Sequence, residues 1–356
     1  MPHPAEAQGP AGVPEPEEAS AAEEALRDAA AVSAAAEAVE EARDAGDNDS
    51  LSGRNIEMIR ISDEYVVDIL DKKNEPKAFC HSGDIVVFET RDCYDNSLTS
   101  EERPLGDRGD ALENPATGPL YVREARKGDI LKVEILKIAL RSWGAMRTSV
   151  SGGEFRERYE KRTARIFSLK ENRIVFDDRL TLTPDPMIGV IGTAPAGEGV
   201  YTHTPGEHGG NMDCNKITEG SVLYLPVNTD GALLALGDIH ARMGDGEVLI
   251  CGLETAAEVT VRVTVIQDSR IPTPFLRCRG RVMTIQSAVT LDEAAHLASN
   301  RMYDFIQSVS GQDDVHTGML MSLVSDLAIC QVVDPQKTVR SEIPESVLEA
   351  YGYVLP

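Results

Sequence analysis

The stretch VTVRVTVIQ (residues 259–267) alternates apolar and polar side chains along nearly its whole length. Such alternation has the two-residue period of a β-strand and predicts a sheet with one buried face and one wetter face. Similar short runs of β-branched and aliphatic residues, separated by Gly, Pro, Asn and Asp, predict further strands. They are residues 65–69, 84–90, 130–139, 222–226, 232–236 and 248–253. The chain is therefore expected to be rich in strands up to about residue 270.

The pattern changes towards the C-terminus. The stretch LDEAAHLASNRMYDFIQSVS (residues 291–310) follows Thr290, a suitable helix cap, and begins with acidic residues. Its apolar residues recur at helical spacing and predict one buried stripe: Ala295, Leu297, Met302, Phe305, Ile306 and Val309. A second helix is predicted over residues 315–327, followed by a short strand, AICQVV. The fold class is thus α+β and mainly β, with a helical cap over about residues 290–328.

The composition excludes some classes of function. The chain has 356 residues, 42% of them hydrophobic, so it can bury a full core. Its formal charge of −24 argues against nucleic acid and against anionic membrane surfaces, because both require clustered Lys and Arg. The sequence contains no run of eighteen apolar residues, so no membrane-spanning helix is expected.

The first fifty residues differ from the rest. Residues 1–50 contain thirteen Asp or Glu against two Arg and are built mainly from Ala and Glu. They predict a disordered acidic tail, with a docking arm as the alternative. A catalytic domain is expected over residues 55–345 and a C-terminal extension over 346–356. No export signal is recognisable and the six cysteines form no CxxC pair, which favours reduced thiols and a cytoplasmic location.

Reactive side chains concentrate in two windows. They are THTPGEHGGNMD (residues 202–213) and LGDIHARMGDGE (residues 236–247). In the second window, Asp238 and His240 are two residues apart and would point to the same side of a strand. With a third ligand they could form an open site for Zn²⁺, whereas the plainer interpretation is a turn Asp beside a surface His. Long connections often carry function, so residues 99–119 and 183–215 are expected to contribute to the site.

The first window contains a histidine followed by glycines. His208 precedes Gly209 and Gly210, and Asn211 and Asp213 follow closely. Glycine N–H groups and an amide side chain can stabilise a developing oxyanion. An ordinary Asx turn is the alternative.

Two acids follow predicted strands. Asp92 comes after IVVFET, and Glu254 comes after VLICGL. A carboxylate carried in on a buried strand must be paired, metal-bound or protonated. A metal ligand, a general base and a structural salt bridge all remain open for both residues. Cys251 is disfavoured as a nucleophile because its apolar neighbours would raise the pKa of its thiol.

Several long motifs, in the same order, resemble the acetamidase/formamidase family of amide hydrolases. They are NPATGPLYVREARKGDILKVEI (residues 114–135), HGGNMD (208–213), ITEGSVLYLPV (217–227), GALLALGDIHARMGDGEV (231–248) and VVDPQKTVRSEIP (332–344). The resemblance spans about residues 55–345. It implies a jelly-roll-like β-sandwich body with a smaller helical portion, a divalent metal (zinc) and a homo-oligomer of two or more subunits. The implied activity is hydrolysis of small aliphatic amides such as acetamide or formamide.

The resemblance also suggests roles for individual residues. Asp238 and His240 match the Gly-Asp-x-His motif of the family, Asp92 matches its early strand-end Asp, and Glu254 matches the Glu that follows the next strand. Our working hypothesis assigns Zn²⁺ to Asp92, Asp238 and His240, and the general base to Glu254. The remaining residues of the first window are assigned to catalysis (His208, Asn211) and to the substrate or oxyanion (Gly209, Gly210, Asp213).

Two features depart from the family pattern. Glu207 precedes His208, and a negative charge beside the site would disfavour anionic substrates. Residues 141–170 fit the family less well, so substrate selection is expected to differ. The alternatives to a linear amide are a small lactam or cyclic imide at the same site. The alternative from another class is a catalytically silent metal-binding scaffold that docks through the acidic arm.

Overall fold

A computed structural model describes residues 58–104, 111–267 and 270–356 of the chain. These residues belong to one compact unit, Asn55–Pro356. The predicted acidic tail, residues 1–50, lies outside the described residues. Within the described ranges, no helix combines the length and the apolar character needed to cross a bilayer.

Strands dominate the described residues. In chain order the strands are β1 (Ile59–Ile61), β2 (Val66–Val67), β3 (Ile69–Leu70), β4 (Ala78–Cys80), β5 (Ile85–Glu89), β6 (Ala116–Val122), β7 (Ile130–Leu140), β8 (Trp143–Arg147), β9 (Ala164–Ser168), β10 (Ile174–Val175), β11 (Thr181–Leu182), β12 (Met187–Gly192), β13 (Val200–Tyr201), β14 (Gly209–Asn211), β15 (Val222–Pro226), β16 (Leu234–His240), β17 (Glu254–Thr255), β18 (Ala257–Ile266), β19 (Phe275–Cys278), β20 (Arg281–Ala288), β21 (Asp326–Gln331) and β22 (Lys337–Pro344). The α-helices are α1 (Leu291–Ser310), α2 (Asp314–Val324) and α3 (Glu345–Ala350), and short 3₁₀ turns span Arg156–Arg158 and Lys170–Asn172. The mainly β fold class is confirmed.

The first of two large sheets has the strand order β1-β5-β18-β7-β15-β19-β20-β22-β21. Its longest pairing joins β18 to β7 in antiparallel register, with an irregularity at Thr260/Val261. The alternation predicted for this stretch is confirmed, since Val261 and Val263 are fully buried while Arg262 on the other face is half-buried.

The second large sheet has the order β14-β12-β16-β17-β8-β9, and β6 joins it by pairing with β16, β2 and β4. Its strand β16 begins and ends later than the predicted run 232–236, so Asp238 and His240 lie within the strand. The predicted strand 248–253 is wrong, because these residues form turns. Ile250 within this run has a φ of 103°, and Glu247 just before it has a φ of 48°, so the backbone turns there instead of staying extended.

The two sheets pack face to face around one apolar core. The first sheet contributes residues such as Val133, Leu223 and Val261, and the second contributes residues such as Leu236 and Ile239. All of these side chains are fully buried. The β-sandwich body is therefore confirmed.

Helices cover the outer face of the first sheet. Thr290 caps α1 by accepting a hydrogen bond from the backbone N–H of Glu293, as predicted. The residues of α1 that are buried are Ala294, Ala298, Met302, Phe305 and Ile306, whereas Leu297 is 39% exposed. Leu348 of α3 packs into the same apolar cluster, so residues after 345 are part of the folded unit.

Candidate active site

Strand β16 crosses the middle of the second sheet and carries two polar side chains outward. Ile239 packs into the core, and at Asp238 a φ of 55° interrupts the regular alternation of the strand, yet the side chains of Asp238 and His240 lie next to each other. The Nε2 atom of His240 lies 3.4 Å from Oδ1 of Asp238. The structure thus brings together the pair that the two-residue spacing predicted.

Two further carboxylates approach the same imidazole nitrogen. Glu254 on β17 lies directly opposite His240 in the strand register, and its Oε2 is 3.2 Å from Nε2 of His240. Asp213, just after β14, places Oδ1 at 3.9 Å from the same nitrogen. None of these side chains is more than 2% exposed. Three acids therefore surround one histidine, and all four side chains are buried.

Glu247 and Asp334 join this group from distant parts of the chain. Gly246 exchanges backbone hydrogen bonds with the end of β21: its N–H donates to the carbonyl of Cys330 at 2.9 Å, and its carbonyl accepts from Val332 at 3.1 Å. This bridge holds the turn that carries Glu247 against the segment that carries Asp334. The Asp334 carboxylate accepts a hydrogen bond from Nδ2 of Asn211 at 2.8 Å.

The donor atoms of this cluster suit a divalent cation. Many of them are buried without a hydrogen-bond partner among the described residues: both oxygens of Asp213, Asp238 Oδ1, Glu247 Oε2, Glu254 Oε2 and His240 Nδ1. Two sets of possible ligand atoms each lie within 4.8 Å of one another: Cys93, Asp238 and Glu254, and Asp213, His240 and Glu247. Ligand atoms of a tetrahedral zinc lie roughly 3.3–3.6 Å apart, close to the separations measured around His240.

The acidities of these groups reflect their crowding. Burial, together with the charge of Asp238, raises the pKa of Asp213 to about 7. Burial also raises the pKa of Glu254 to about 7, although His240 opposes the shift. The pKa of Glu247 is well above its ordinary value, first through burial and then through the charge of Asp213. Burial would lower the pKa of His240, but the charges of Glu254 and Asp238 outweigh it, so the pKa is raised. A bound cation would relieve this excess of negative charge.

Two glycines make room for the cluster. A Cβ atom at Gly189 of β12 would lie 2.5 Å from carboxylate oxygens of both Asp213 and Asp238. A Cβ atom at Gly252 would lie 2.5 Å from Nδ1 of His240. Any larger residue at these positions would push the ligand candidates apart.

The structure does not bring Asp92 into the cluster. Its Oδ1 accepts backbone N–H groups from Tyr94 and Asn96 at 3.0 and 2.8 Å, and its Oδ2 accepts from Arg141. Both oxygens are thus engaged elsewhere, which corresponds to the structural salt bridge that the sequence left open. The neighbouring Cys93, rather than Asp92, has its thiol within 4.8 Å of carboxylate oxygens of Asp238 and Glu254.

His208 and the two glycines that follow it lie beside the site rather than in it. The N–H of Gly209 donates to the carbonyl of Gly206 at 3.1 Å, so it is not free for an oxyanion. A Cβ at Gly209 or Gly210 would lie 2.3–2.5 Å from backbone oxygens. The close approach of the backbone therefore explains why both positions are glycine. Burial lowers the pKa of His208 to about 4, so its imidazole is neutral. Of this window, Asn211 and His203 lie at the cavity wall together with the acids.

A cavity of about 460 Å³ opens above the cluster. The two long connections contribute to its wall, Glu113 and Asn114 from the first and His203 and Asn211 from the second. The amide of Asn114 donates to Oδ2 of Asp238 at 3.2 Å. Glu207 is not in the wall, because its side chain is 80% exposed and ion-paired with Arg301 of α1. The charge expected beside the site from this residue is therefore absent from the cavity.

Sequence reasoning missed four residues of the cluster and its surroundings: Cys93, Gly189, Glu247 and Asp334. Glu247 closes the quoted window LGDIHARMGDGE, and Asp334 lies within VVDPQKTVRSEIP. Each stood in a recognised motif, yet no local pattern indicated that the two motifs meet in space.

Comparisons with known proteins agree on one family. A sequence profile of the Acetamidase/Formamidase family matches residues 157–280. The crystal structure of an acetamidase from Bacillus halodurans is 45% identical, with a TM-score of 0.81, and the match covers 83% of this chain and 100% of that one. The structure of a predicted acetamidase/formamidase from Thermoanaerobacter tengcongensis is 37% identical, with a TM-score of 0.80, over 84% of this chain and 99% of that one.

Curated sequences give shorter matches. A formamidase from Methylophilus methylotrophus is 42% identical over 74 residues, which is 20% of this chain and 18% of that protein. The match thus spans less than a fifth of the curated relative. The matches to the two solved structures, in contrast, cover 83% and 84% of this chain.

Proposed function

Since the chain belongs to the acetamidase/formamidase family, we propose that it hydrolyses small linear primary amides to a carboxylate and ammonia. The observation that carries this proposal is the convergence of unpartnered acid oxygens on His240 beneath an open cavity. Buried acids without partners destabilise a fold, and sites that bind or transform ligands are where such groups are retained.

We propose His240, Asp238 and Asp213 as ligands of a divalent cation, zinc, with Glu247 as a further donor. The separations of 3.4 and 3.9 Å from His240 Nε2 to the two Asp residues support this set. When bound, zinc would supply a Lewis acid and lower the pKa of a coordinated water. Asp92, paired with Arg141, has no part in this set.

Glu254 is the proposed general base. Its carboxylate lines the cavity and lies 3.2 Å from Nε2 of His240, where it can accept a proton from the attacking water and then deliver that proton to the departing nitrogen. Proton delivery is required because an amide anion is a poor leaving group. The unpartnered Oδ1 of Asn211 at the cavity wall is suited to accept an N–H of the substrate amide.

The thiols near the site support attack by water rather than by cysteine. Burial and the charge of Glu254 raise the pKa of Cys93 well above its ordinary value. Burial likewise raises the pKa of Cys251 to about 11. A thiol that stays protonated at neutral pH is a weak nucleophile.

We further propose a cytoplasmic homo-oligomer. All six cysteines are free and buried, which supports a reducing compartment. On α2, Val315, Met319 and Leu323 recur every fourth residue and are 60–83% exposed. The next strand, β21, ends the first sheet and exposes Leu327 and Ile329. An open strand edge beside apolar helix residues supports contact with a second copy of the chain.

The test is ammonia release from formamide, acetamide, propionamide and a small lactam. The protein is assayed as purified, after stripping with a chelator, and after Zn²⁺ is restored. Turnover of the linear amides that disappears on stripping and returns with zinc is expected. Turnover of the lactam alone, or of none of the four with zinc verified in the protein, would contradict the proposal.

A further inference from the structure

Part of the cavity wall is formed by Arg147, the last residue of β8, and by the connection 148–163 that leads to β9. Its base is closed by two hydrogen bonds of 2.8 Å, from Thr148 N–H to the carbonyl of Thr163 and from Thr163 N–H to Oγ1 of Thr148. Farther along, the N–H of Glu154 donates to the carbonyl of Val248 at 2.9 Å. The connection is thus fixed to the turn that carries Glu247, and its position relative to the acids is defined.

Two arginines of this wall face the cavity with their charges uncompensated. Arg147 and Arg162 both line the cavity and are half-buried. Neither guanidinium forms a hydrogen bond or an ion pair within the described ranges, and Arg147 lies over the ring of Tyr94 at 4.7 Å. Ser149 and Ser151 lie in the same wall. A guanidinium with free N–H groups is a preferred partner for a carboxylate.

The cavity is therefore lined by groups of both charges. The acids repel an anion, and they are Glu113, Asp238, Glu247, Glu254 and Asp334. Arg147 and Arg162 attract one, so an anionic group entering the cavity would be directed to the two guanidinium groups. The volume of about 460 Å³ lies in the range of roughly 300–1,000 Å³ that holds drug-sized ligands. An amide with only a few heavy atoms would leave most of this space to water.

We propose that the preferred substrates are primary amides that carry a carboxylate at the other end of a short chain, that is, monoamides of dicarboxylic acids. Arg147 and Arg162 bind the carboxylate and thereby direct the amide towards Glu254. The inference rests on the proposed amide hydrolysis. Water adds to the amide carbon, the C–N bond breaks, and the products are the dicarboxylate and ammonium.

A plainer role for the arginines is to offset the charge of the acids across the cavity. In that case their loss would affect all amides alike. The two roles can be separated by the ratio of kcat/KM for a charged substrate to kcat/KM for a neutral substrate of the same length. Succinamate and butyramide form such a pair, because they differ in a terminal carboxylate in place of a methyl group.

The experiment measures kcat/KM for both amides with the zinc-loaded full chain. We expect the native protein to prefer succinamate by about tenfold to hundredfold, the range for a hydrogen-bonded ion pair. In Arg147→Gln/Arg162→Gln the preference should fall by a similar factor, mainly through KM for succinamate. Arg162→Lys, which keeps the charge, should retain part of the preference. Inhibition by succinate should weaken in the glutamine variant in parallel.

Arg158→Gln is the matched control, because Arg158 lies in the exposed 3₁₀ turn of the same connection and outside the cavity wall. It should leave the substrate ratio unchanged. Turnover of butyramide without preference for succinamate, or an equal loss of both activities in the glutamine variant, overturns the inference and leaves amide hydrolysis standing. No turnover of either amide with zinc bound overturns both.

Discussion

The outer faces of the two sheets differ in what they bury. On the first sheet, Tyr224 and Phe275 pack against Met302 and Phe305 of α1 in an apolar cluster. On the second sheet, the corresponding side of β16 buries charged groups around His240. Apolar burial stabilises a fold by about 25 cal/mol per Å². Unpaired buried charges destabilise it by several kcal/mol per ion. The first face is explained by folding alone, whereas the second is what the proposed cation site would account for.

The difference implies that substitutions on the two faces have different consequences. On the apolar face they should change the free energy of unfolding and leave the chemistry alone. On the charged face they should change metal content or turnover, and removing an acid could even stabilise the metal-free protein. Stability, metal content and activity measured on the same variants can therefore test this difference between the two faces.

The largest effect is expected for His240→Ala. His240 is the only imidazole in the group of acids that the structure describes, and three carboxylates converge on its Nε2 atom. Loss of this ligand should empty the site of zinc and abolish measurable ammonia release. Metal content by inductively coupled plasma mass spectrometry and an ammonia assay check the two effects on one preparation.

His296→Ala is the control for that variant, because His296 is exposed on α1. It should keep both metal and activity. If His240→Ala retained stoichiometric zinc, the ligand set centred on β16 would be wrong, and the set containing Cys93 would replace it.

Glu254→Gln should separate catalysis from metal binding. The amide occupies the same space as the carboxylate but cannot accept a proton, so kcat should fall by about 10²–10⁴. Zinc content should stay near that of the native protein, since His240, Asp238 and Asp213 remain. Metal analysis and single-substrate kinetics test both statements. A Glu254→Gln protein without zinc would make Glu254 a ligand instead of the base.

Phe305→Ala tests the other side of the comparison. The ring of Phe305 is 3% exposed and lies edge-on to Phe275 at 5.2 Å. Its removal should lower the free energy of unfolding by about 3–5 kcal/mol. The zinc content and kcat of the folded fraction should not change. Urea denaturation gives the first quantity, and a fall in zinc affinity would show that the two faces are coupled.

The sequence predicted those parts of the molecule that local periodicity determines. β18 was recognised because apolar side chains recur at every second residue. α1 was recognised because apolar side chains recur at every third to fourth residue. The pairing of Asp238 with His240 followed from the same rule. The apolar run 248–253 was misassigned, because composition alone does not reveal the positive φ angles of Glu247 and Ile250.

The rest of the site depends on contacts between distant segments. Glu247 lies near Asp334 because Gly246 pairs with the end of β21, and Asn211 of β14 donates to Asp334 across 123 residues of sequence. Asp92 had the position expected of a ligand, but Arg141, in the connection from β7 to β8, occupies its carboxylate. A glycine that leaves space for other side chains carries no pattern of its own, so Gly189 could not be recognised.

Gly189→Ala is expected to have the smallest effect, and it tests whether space at β12 is part of the metal site. The added methyl group would meet oxygens of Asp213 and Asp238 at 2.5 Å, so one carboxylate must move. Displacing a supporting contact of this kind typically weakens metal binding by about 10–100-fold. Competition with a zinc chelator measures that change. Gly197→Ala is the matched control, because a methyl group there has no atom within 4 Å. Equal zinc affinity in both variants would mean that the two acids tolerate separation, and that His240 and Glu247 determine the affinity.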